Sequence, residues 1–553
     1  MILLRHAGKV TLLLVITFSV STLHVLAARV ERKVDSWKPT HYNVEITLNE
    51  PLSELTTAKA EISVQILKNN VSIIDLDFGE MTVDSVKVEK QPVLFNHTSG
   101  RLEVRLARPL ERGAQISIEV VYHGKPKDGL VMRNDKDGRP SVVGDNWPDR
   151  VHHWIPSLDH PSAKATVNFS ITAPKRALVV ANGKPGPVET TSETTRTWKF
   201  TEAHPIPPYC MIFAAGEFAK IPGDSTLTSL SYLVPKSDAV SAAKGFAPAA
   251  PSLKLFTQTI APYPYEKLAL IVGNTQFGGM ENSGAIVFAS DILNRSSNSP
   301  SSRTFGLSTG LVELVAHEIA HQWFGDSVTE STWADLWLSE GFATYFAGYF
   351  VQKTDGEAAF QNYMNSTGQT YLSYARQVRT PLHDTETSNL MRLLNPNNYQ
   401  KGAWVLHMLR SELGDEAFFK GIRSYYNDYK NSVASSDDLR SALEKSSGQD
   451  LKPFFKAWVY GPGHPHYQMN WEWDESKRVV RVTIYQVQTE ELFPNTIPLA
   501  ISVSSGKQLF KIKPSTKQYA QEIPLAEKPS AVDFDPESSI LKEVSNPKTP
   551  TKR

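Results

Sequence analysis

The spacing of apolar residues changes period twice along this chain, and that change limits the fold more than any other feature. From residue 42 to about residue 222 apolar residues alternate with period two. Tyr42, Val44, Ile46 and Leu48 form one run, Ile62, Val64 and Ile66 another, and Ile116, Ile118, Val120 and Tyr122 a third. Asn69-Asn70 and Asp137-Gly138 are turn pairs between such runs, so each run reads as a strand with one buried face. Beyond Ala250 the period becomes helical. A strand-like run at 268–273 is followed by predicted helices over 309–324, 336–350, 403–413, 415–429, 436–445 and 453–460. The Ser-, Asn- and Pro-rich stretch 294–302 reads as a surface loop. After Gly461-Pro462-Gly463 alternation returns at Val480, Val482 and Ile484, then at Leu499, Ile501 and Val503, then at Phe510 and Ile512. A chain of 553 residues is too long for one core. The expected fold is therefore multidomain α+β. An antiparallel, sandwich-like β-domain covers 29–222, a mixed helix-and-strand domain 223–465 and a small β-sandwich 466–545, with a tail at 546–553.

Residues 1–28 read as a secretory signal peptide. Arg5, His6 and Lys9 precede an apolar run at 10–20, and the small residues Ala27 and Ala28 follow. The run is short for a bilayer span, and a retained anchor is the rival reading. Export to the periplasm or the cell exterior is expected, with no stable membrane span once the signal is removed. Lys+Arg and Asp+Glu balance at 58 each, so charge gives no case for nucleic acid as a partner. Cys210 is the single cysteine, which excludes an intramolecular disulfide; within the apolar run 209–215 it reads as a buried structural thiol. Asn-x-Ser/Thr sites at Asn70, Asn96, Asn168, Asn294 and Asn365 would matter only in a eukaryotic secretory host.

The chemistry concentrates in Val315-Ala316-His317-Glu318-Ile319-Ala320-His321-Gln322-Trp323. On a helix, residues four apart share a face, so His317 and His321 can reach one cation. Glu318 faces the same cavity and can take a proton from water. A hydrolytic zinc site needs three protein ligands and an open position. Glu340, separated from His321 by eighteen residues, is the candidate third ligand at the start of a second helix. The bland alternative is a surface helix with two satisfied histidines. Against it, Leu314, Val315, Ile319, Ala320, Trp323 and Phe324 surround the motif. Burying unpartnered imidazoles there would cost roughly 1–3 kcal/mol for each polar group. One zinc ion per chain relieves that cost.

Upstream lies Gly278-Gly279-Met280-Glu281-Asn282. Two glycines let a backbone approach another chain as an edge strand does. Glu281 then offers a carboxylate to a protonated α-amino group. The alternative is a turn with a solvated glutamate, and for this segment alone it would prevail.

Together these motifs resemble the aminopeptidase N family of zinc metallopeptidases, which also includes the leukotriene hydrolase. The resemblance extends to Trp333-Ala334-Asp335-Leu336-Trp337-Leu338-Ser339-Glu340-Gly341-Phe342-Ala343-Thr344-Tyr345, to Tyr399-Gln400-Lys401-Gly402, to 458–465, and upstream to Trp154-Ile155-Pro156, Asp159, Pro161 and Lys164. It implies a thermolysin-like catalytic domain capped by the N-terminal β-domain. It also implies a substrate class, peptides with a free N-terminus. By matching position, Glu281 would bind the free amine, Gly278–Met280 with Asn282 would line the substrate, and Tyr399 would donate its phenol to the tetrahedral oxyanion. Ser339 and Asp326 stand where many members have Asn, and Ser339 is expected to take no direct part in coordination. The family's N-terminal domain usually supplies a Gln or Glu to the amine; here the stretch is Gly144-Asp145-Asn146-Trp147-Pro148, where Asp145 or Asn146 could substitute. No counterpart of the large C-terminal helical domain of longer members is expected, which implies a more open route to the site. An epoxide hydrolase and a non-catalytic peptide-binding relative are the alternatives from other classes.

Overall fold

The computed structural model describes residues 29, 31–98, 100–294 and 310–545. The expected signal peptide at 1–28, residues 295–302 of the expected surface loop and the expected tail at 546–553 lie outside them. Among the described residues no helix is long and apolar enough to cross a membrane.

The three period-two runs at 42–48, 62–66 and 116–122 lie in strands of one eight-stranded sheet. Trp37–Leu48, Leu55–Ile66 and Gln115–Gly124 pair antiparallel in sequence. Their inward residues, among them Tyr42, Val44, Ile62, Ile118 and Tyr122, are fully buried in a common core. On its other edge Trp37–Leu48 pairs parallel with Ala165–Pro174, the one parallel contact in this sheet. A four-stranded sheet (Leu178–Ala181, Phe213–Gly216, Pro140–Gly144, Leu130–Asn134) and a three-stranded one (Val71–Asp77, Arg101–Leu110, Phe95–Thr98) complete a β-rich N-terminal region.

The central α/β region is built on a five-stranded sheet in the order Ala219–Pro222, Ser229–Val234, Lys267–Gly273, Ala285–Ala289, Gly279–Met280. Ala219–Pro222, which alternation groups with the first region, is hydrogen-bonded here, because period alone does not say which sheet a strand joins. Gly279–Met280 is the terminal strand, antiparallel to its neighbour. Helices Leu311–His321, Trp337–Asp355, Gly402–Leu413, Asp415–Tyr429, Ser436–Ser447 and Lys452–Trp458 lie where helical periodicity predicts them. The first stops at His321 rather than Phe324, the chain turning at Gly325 with φ 122°. The second runs on to Asp355, where Gly356 (φ 91°) ends it.

Three helices were not expected: Ala239–Gly245, Ala249–Thr259 and Glu357–Ala375. The last is rich in Asn, Ser, Thr and Gly, which are poor helix formers. A stripe of Phe360, Met364, Thr367, Tyr371 and Ala375 holds it against the core.

Two facing sheets, four-stranded and three-stranded, form the C-terminal β-region. It shares one core with the helices above it: the Trp458 and Phe493 rings lie 4.6 Å apart, and Trp458 Nε1 donates to Asn495 Oδ1 at 3.1 Å. Among the described residues there is no large helical domain.

The helices beginning at Trp337 and Gly402 touch backbone to backbone. A Cβ on Gly341 would stand 2.8 Å from Gly402 Cα, and the converse distance is also 2.8 Å. Backbone cannot swing aside as a flexible side chain can. Gly341→Ala should therefore lower stability by about 1–3 kcal/mol through overpacking, read as a lower denaturant midpoint with unchanged slope. An unchanged midpoint would show that the helices can separate without cost.

Candidate metal centre

The Leu311–His321 helix puts His317 and His321 on one face, their Nε2 atoms 3.0 Å apart. Glu340, in the first turn of the Trp337–Asp355 helix, brings Oε2 to 3.3 Å from His317 Nε2 and 3.4 Å from His321 Nε2. All three side chains are buried, with one donor atom from each within 4.8 Å of the others. His321 Nδ1 lies 3.2 Å from the Phe324 carbonyl, which can only accept, and 3.0 Å from Ser339 Oγ. With an ion bound, the neutral ring keeps its proton at Nδ1 and offers Nε2 to the cluster. Ser339 stands outside the donor cluster but touches the His321 ring. Gly325 is needed beside them, since a Cβ there would lie 2.4 Å from Ser339 Oγ and 3.0 Å from His321 Nδ1.

Glu318 and Glu281 complete the cavity, with donor atoms of Glu281, Glu318 and His321 again within 4.8 Å. Glu318 is buried and its Oε2 has no hydrogen-bond partner. Burial, reinforced by the Glu281 and Glu340 charges, pushes its carboxyl well above the usual range, although His321 opposes the shift. Burial likewise raises Glu281 to about 7, with Glu340 adding to it. Burial opposes a charge on His321, but the Glu281, Glu340 and Glu318 carboxylates outweigh it and lift its pKa to about 10. Burial also opposes the Glu340 charge; His321 and His317 outweigh that and hold Glu340 at about 2. Three carboxylates converge on two imidazoles, and among the described residues Glu340 Oε2 and Glu318 Oε2 find no hydrogen-bond partner. Such a donor set fits a divalent cation.

Tyr399 comes from the π-helical turn Asn397–Lys401 and stacks on His317, centroids 5.9 Å apart and planes 7° apart. Burial and then the Glu340 charge keep its phenol protonated, hence a donor. Gly279, Met280 and Glu281 line the cavity with Trp147, Phe277, Leu314 and Leu394. Gly278 and Asn282 stand back from it. The Gly278 carbonyl accepts from Ala289 N–H at 3.0 Å, and Asn282 Nδ2 donates to the Met280 carbonyl at 3.3 Å.

Asp145 and Asn146 do not reach the cavity, because their side chains are committed elsewhere. Asp145 accepts from Arg150 Nη2 (2.8 Å), Gln276 N (3.1 Å) and Thr275 Oγ1 (3.3 Å). Asn146 donates to the Met211 carbonyl (2.7 Å) and accepts from Trp154 Nε1 (2.9 Å). Trp147, next in the chain, is what the N-terminal region presents.

Sequence reasoning also passed over Gln322. Fully buried, it donates to the Glu281 carbonyl (2.7 Å) and to Asp326 Oδ2 (2.8 Å), and accepts from Gly284 N–H (2.8 Å). It clamps the Glu281 segment to the helix that carries the histidines. Its position directly after His321, in an otherwise apolar stretch, was the available signal. Asp326 also accepts from the buried Cys210 thiol at 3.3 Å, as a structural cysteine would allow.

The chain matches the Peptidase family M1 domain over residues 248–458 and the Peptidase M1 N-terminal domain over residues 38–210. Among curated proteins it is similar to Aminopeptidase 2 of Candida albicans, 25% identical over 448 residues (77% of this chain, 47% of that protein). It is also similar to Probable aminopeptidase 2 of Sulfurisphaera tokodaii, 29% over 419 residues (70% and 50%), and to Aminopeptidase N of Lactococcus lactis subsp. lactis, 25% over 471 residues (80% and 53%). The chain spans about half the length of these curated relatives.

The raised pKa values set a pH dependence. Stability from a raised group is present at low pH and lost as pH climbs from the ordinary to the shifted value: 4.5 to about 7 for Glu281, 6.5 to about 10 for His321. Glu340 is ionised throughout this window. Protein stripped by a chelator should lose melting temperature as pH rises from 6.5 towards 10. Added Zn2+ should raise it more at pH 8 than at pH 6, since fewer protons must be displaced. Thermal melts with and without Zn2+ at both pH values decide it; an equal or smaller rise at pH 8 contradicts the electrostatic account.

Proposed function

The chain belongs to peptidase family M1, and we propose that it is an exported zinc aminopeptidase that removes the first residue from peptides with a free N-terminus. The observation that carries this reading is the convergence of Glu281 on the His317–His321–Glu340 cluster from the terminal strand of the sheet. An endopeptidase has no use for a buried carboxylate at that position. Export rests on the leader at 1–28 alone.

Zinc held by His317, His321 and Glu340 would polarise the scissile carbonyl and acidify water. The exposed side of Gly279–Met280 pairs with the substrate backbone as an added strand would. Glu281 meets the ammonium group, a contact that discriminates because a blocked amine leaves the buried carboxylate unpaired. Glu318, whose raised pKa suits both accepting and returning a proton, takes one from the attacking water and passes it to the leaving amine. Tyr399 gives its phenolic hydrogen to the developing oxyanion. Trp147, Phe277, Met280, Leu314 and Leu394 surround the first side chain.

Aminoacyl reporter amides should be hydrolysed, their N-acetyl counterparts spared, and activity lost to a chelator and regained with Zn2+. Glu318→Gln should keep its metal yet lose about 10²–10⁴ in turnover. Tyr399→Phe should lose around 10²–10³ in kcat with KM little changed. Equal cleavage of the blocked amides would remove the aminopeptidase reading, and undiminished turnover in Glu318→Gln would remove the base.

A further inference from the structure

A second group of metal donors lies away from the cavity, where the N-terminal region meets the central one. Glu202 and His204 are two apart on the strand Thr195–Ile206 and so share a face. Glu266 comes from the other region, directly before the strand Lys267–Gly273. His204 Nδ1 lies 3.2 Å from Glu202 Oε1 and 3.6 Å from Glu266 Oε1, and one donor atom from each of the three falls within 4.8 Å of the others.

The strand shows that Glu202 is out of place as a mere surface acid. Its inward row reads Trp198, Phe200, Glu202, and Glu202 is 1% exposed. A carboxylate in such a row must be compensated. Oε1 accepts from His204 N–H at 2.9 Å and from its ring. Oε2 is buried with no hydrogen-bond partner among the described residues, and so is Glu266 Oε2. The adjacent buried cation, Lys267, gives its ammonium to the Gly284 carbonyl at 2.8 Å instead. Neither His204 nor Glu266 is fully covered, with side chains 34% and 26% exposed, so an ion can enter from solvent.

We propose that Glu202, His204 and Glu266 form a second divalent-metal site, a staple between the N-terminal β-region and the central region. One imidazole nitrogen with two carboxylate oxygens suits Zn2+ or Mn2+ rather than Ca2+ or Mg2+, which take oxygen ligands almost alone. The staple closes a contact that the chain already makes nearby, because Tyr263 and Tyr265 pack against the N-terminal core. Tyr263 also donates to Gln322 Oε1 at 3.2 Å, the side chain that holds the Glu281 segment.

The test uses the full chain stripped by a chelator, reloaded with Zn2+ or Mn2+ and desalted, with bound metal counted by elemental analysis and melting recorded. The wild type should retain two ions per chain. His204→Ala and the isosteric Glu202→Gln should each retain one, with hydrolytic activity kept and a smaller metal-dependent rise in melting temperature. His321→Ala should lose the other ion and keep the one that depends on His204. If His204→Ala and Glu202→Gln bind as many ions as the wild type, or if the wild type binds only the ion that His321→Ala loses, the staple is overturned while the catalytic site stands.

Discussion

Burying three carboxylates and two imidazoles in one cavity is the constraint on which the rest of the central region depends. Like charges at this spacing repel strongly where the dielectric is low. The arrangement survives only if the elements that carry these groups are held in place by contacts outside the cavity. The fold meets this requirement in layers. Ser339 and the Phe324 carbonyl fix the His321 ring, Gly325 leaves room for both, and Gln322 ties the Glu281 backbone to the helix behind it. The Ser339 and Gln322 contacts each join segments that are separate in the chain, so neither can be satisfied until those segments have packed.

The N-terminal region belongs to this arrangement. A separate apolar cluster joins Val143, Trp147, Tyr209, Cys210 and Ile212 to Phe277, Met280, Trp333, Leu336 and Tyr399 of the central region. Lys164 reaches across to the Asp326, Ser327 and Ser432 carbonyls at 2.7–3.1 Å, and Tyr209 donates to the Gly325 carbonyl at 3.3 Å. The turn after the Leu311–His321 helix is therefore capped in part from a different part of the chain. Trp147 stands at the cavity wall because its ring packs edge-on against Trp333 and Phe277, at 5.6 and 6.1 Å.

What could be read in the sequence follows from how locally each feature is encoded. The strands with Tyr42, Ile62 and Ile118 were legible because one face of a twisted sheet is buried and alternation records it. The pair His317 and His321 was legible because helical geometry alone brings them together. Their junction with Glu340 needed only the next helix. The helix Glu357–Ala375 was missed because its residue types favour loops, and burial of five side chains overrides them. The parallel pairing of Trp37–Leu48 with Ala165–Pro174 joins residues more than a hundred positions apart, and no period encodes such a partner. Asp145 and Asn146 could not be placed either, since each is occupied by groups distant in sequence.

Gly279 shows how narrowly the two halves of the proposed chemistry are fitted together. A Cβ at that position would lie 2.1 Å from Glu318 Oε1 and 2.7 Å from its Cγ. The Glu318 carboxylate thus occupies the space a side chain would take, and the backbone of the terminal strand passes directly over it. In the proposed reaction a substrate strand would pair with that edge with its carbonyl beside Glu318, which requires that nothing project between them. The glycine is at an ordinary φ, so the demand is for close approach and not for conformational freedom. The pair of glycines that sequence reasoning took as permission for a substrate to come near therefore divides its work: Gly278 holds the sheet through its carbonyl, and Gly279 makes room for the Glu318 carboxylate.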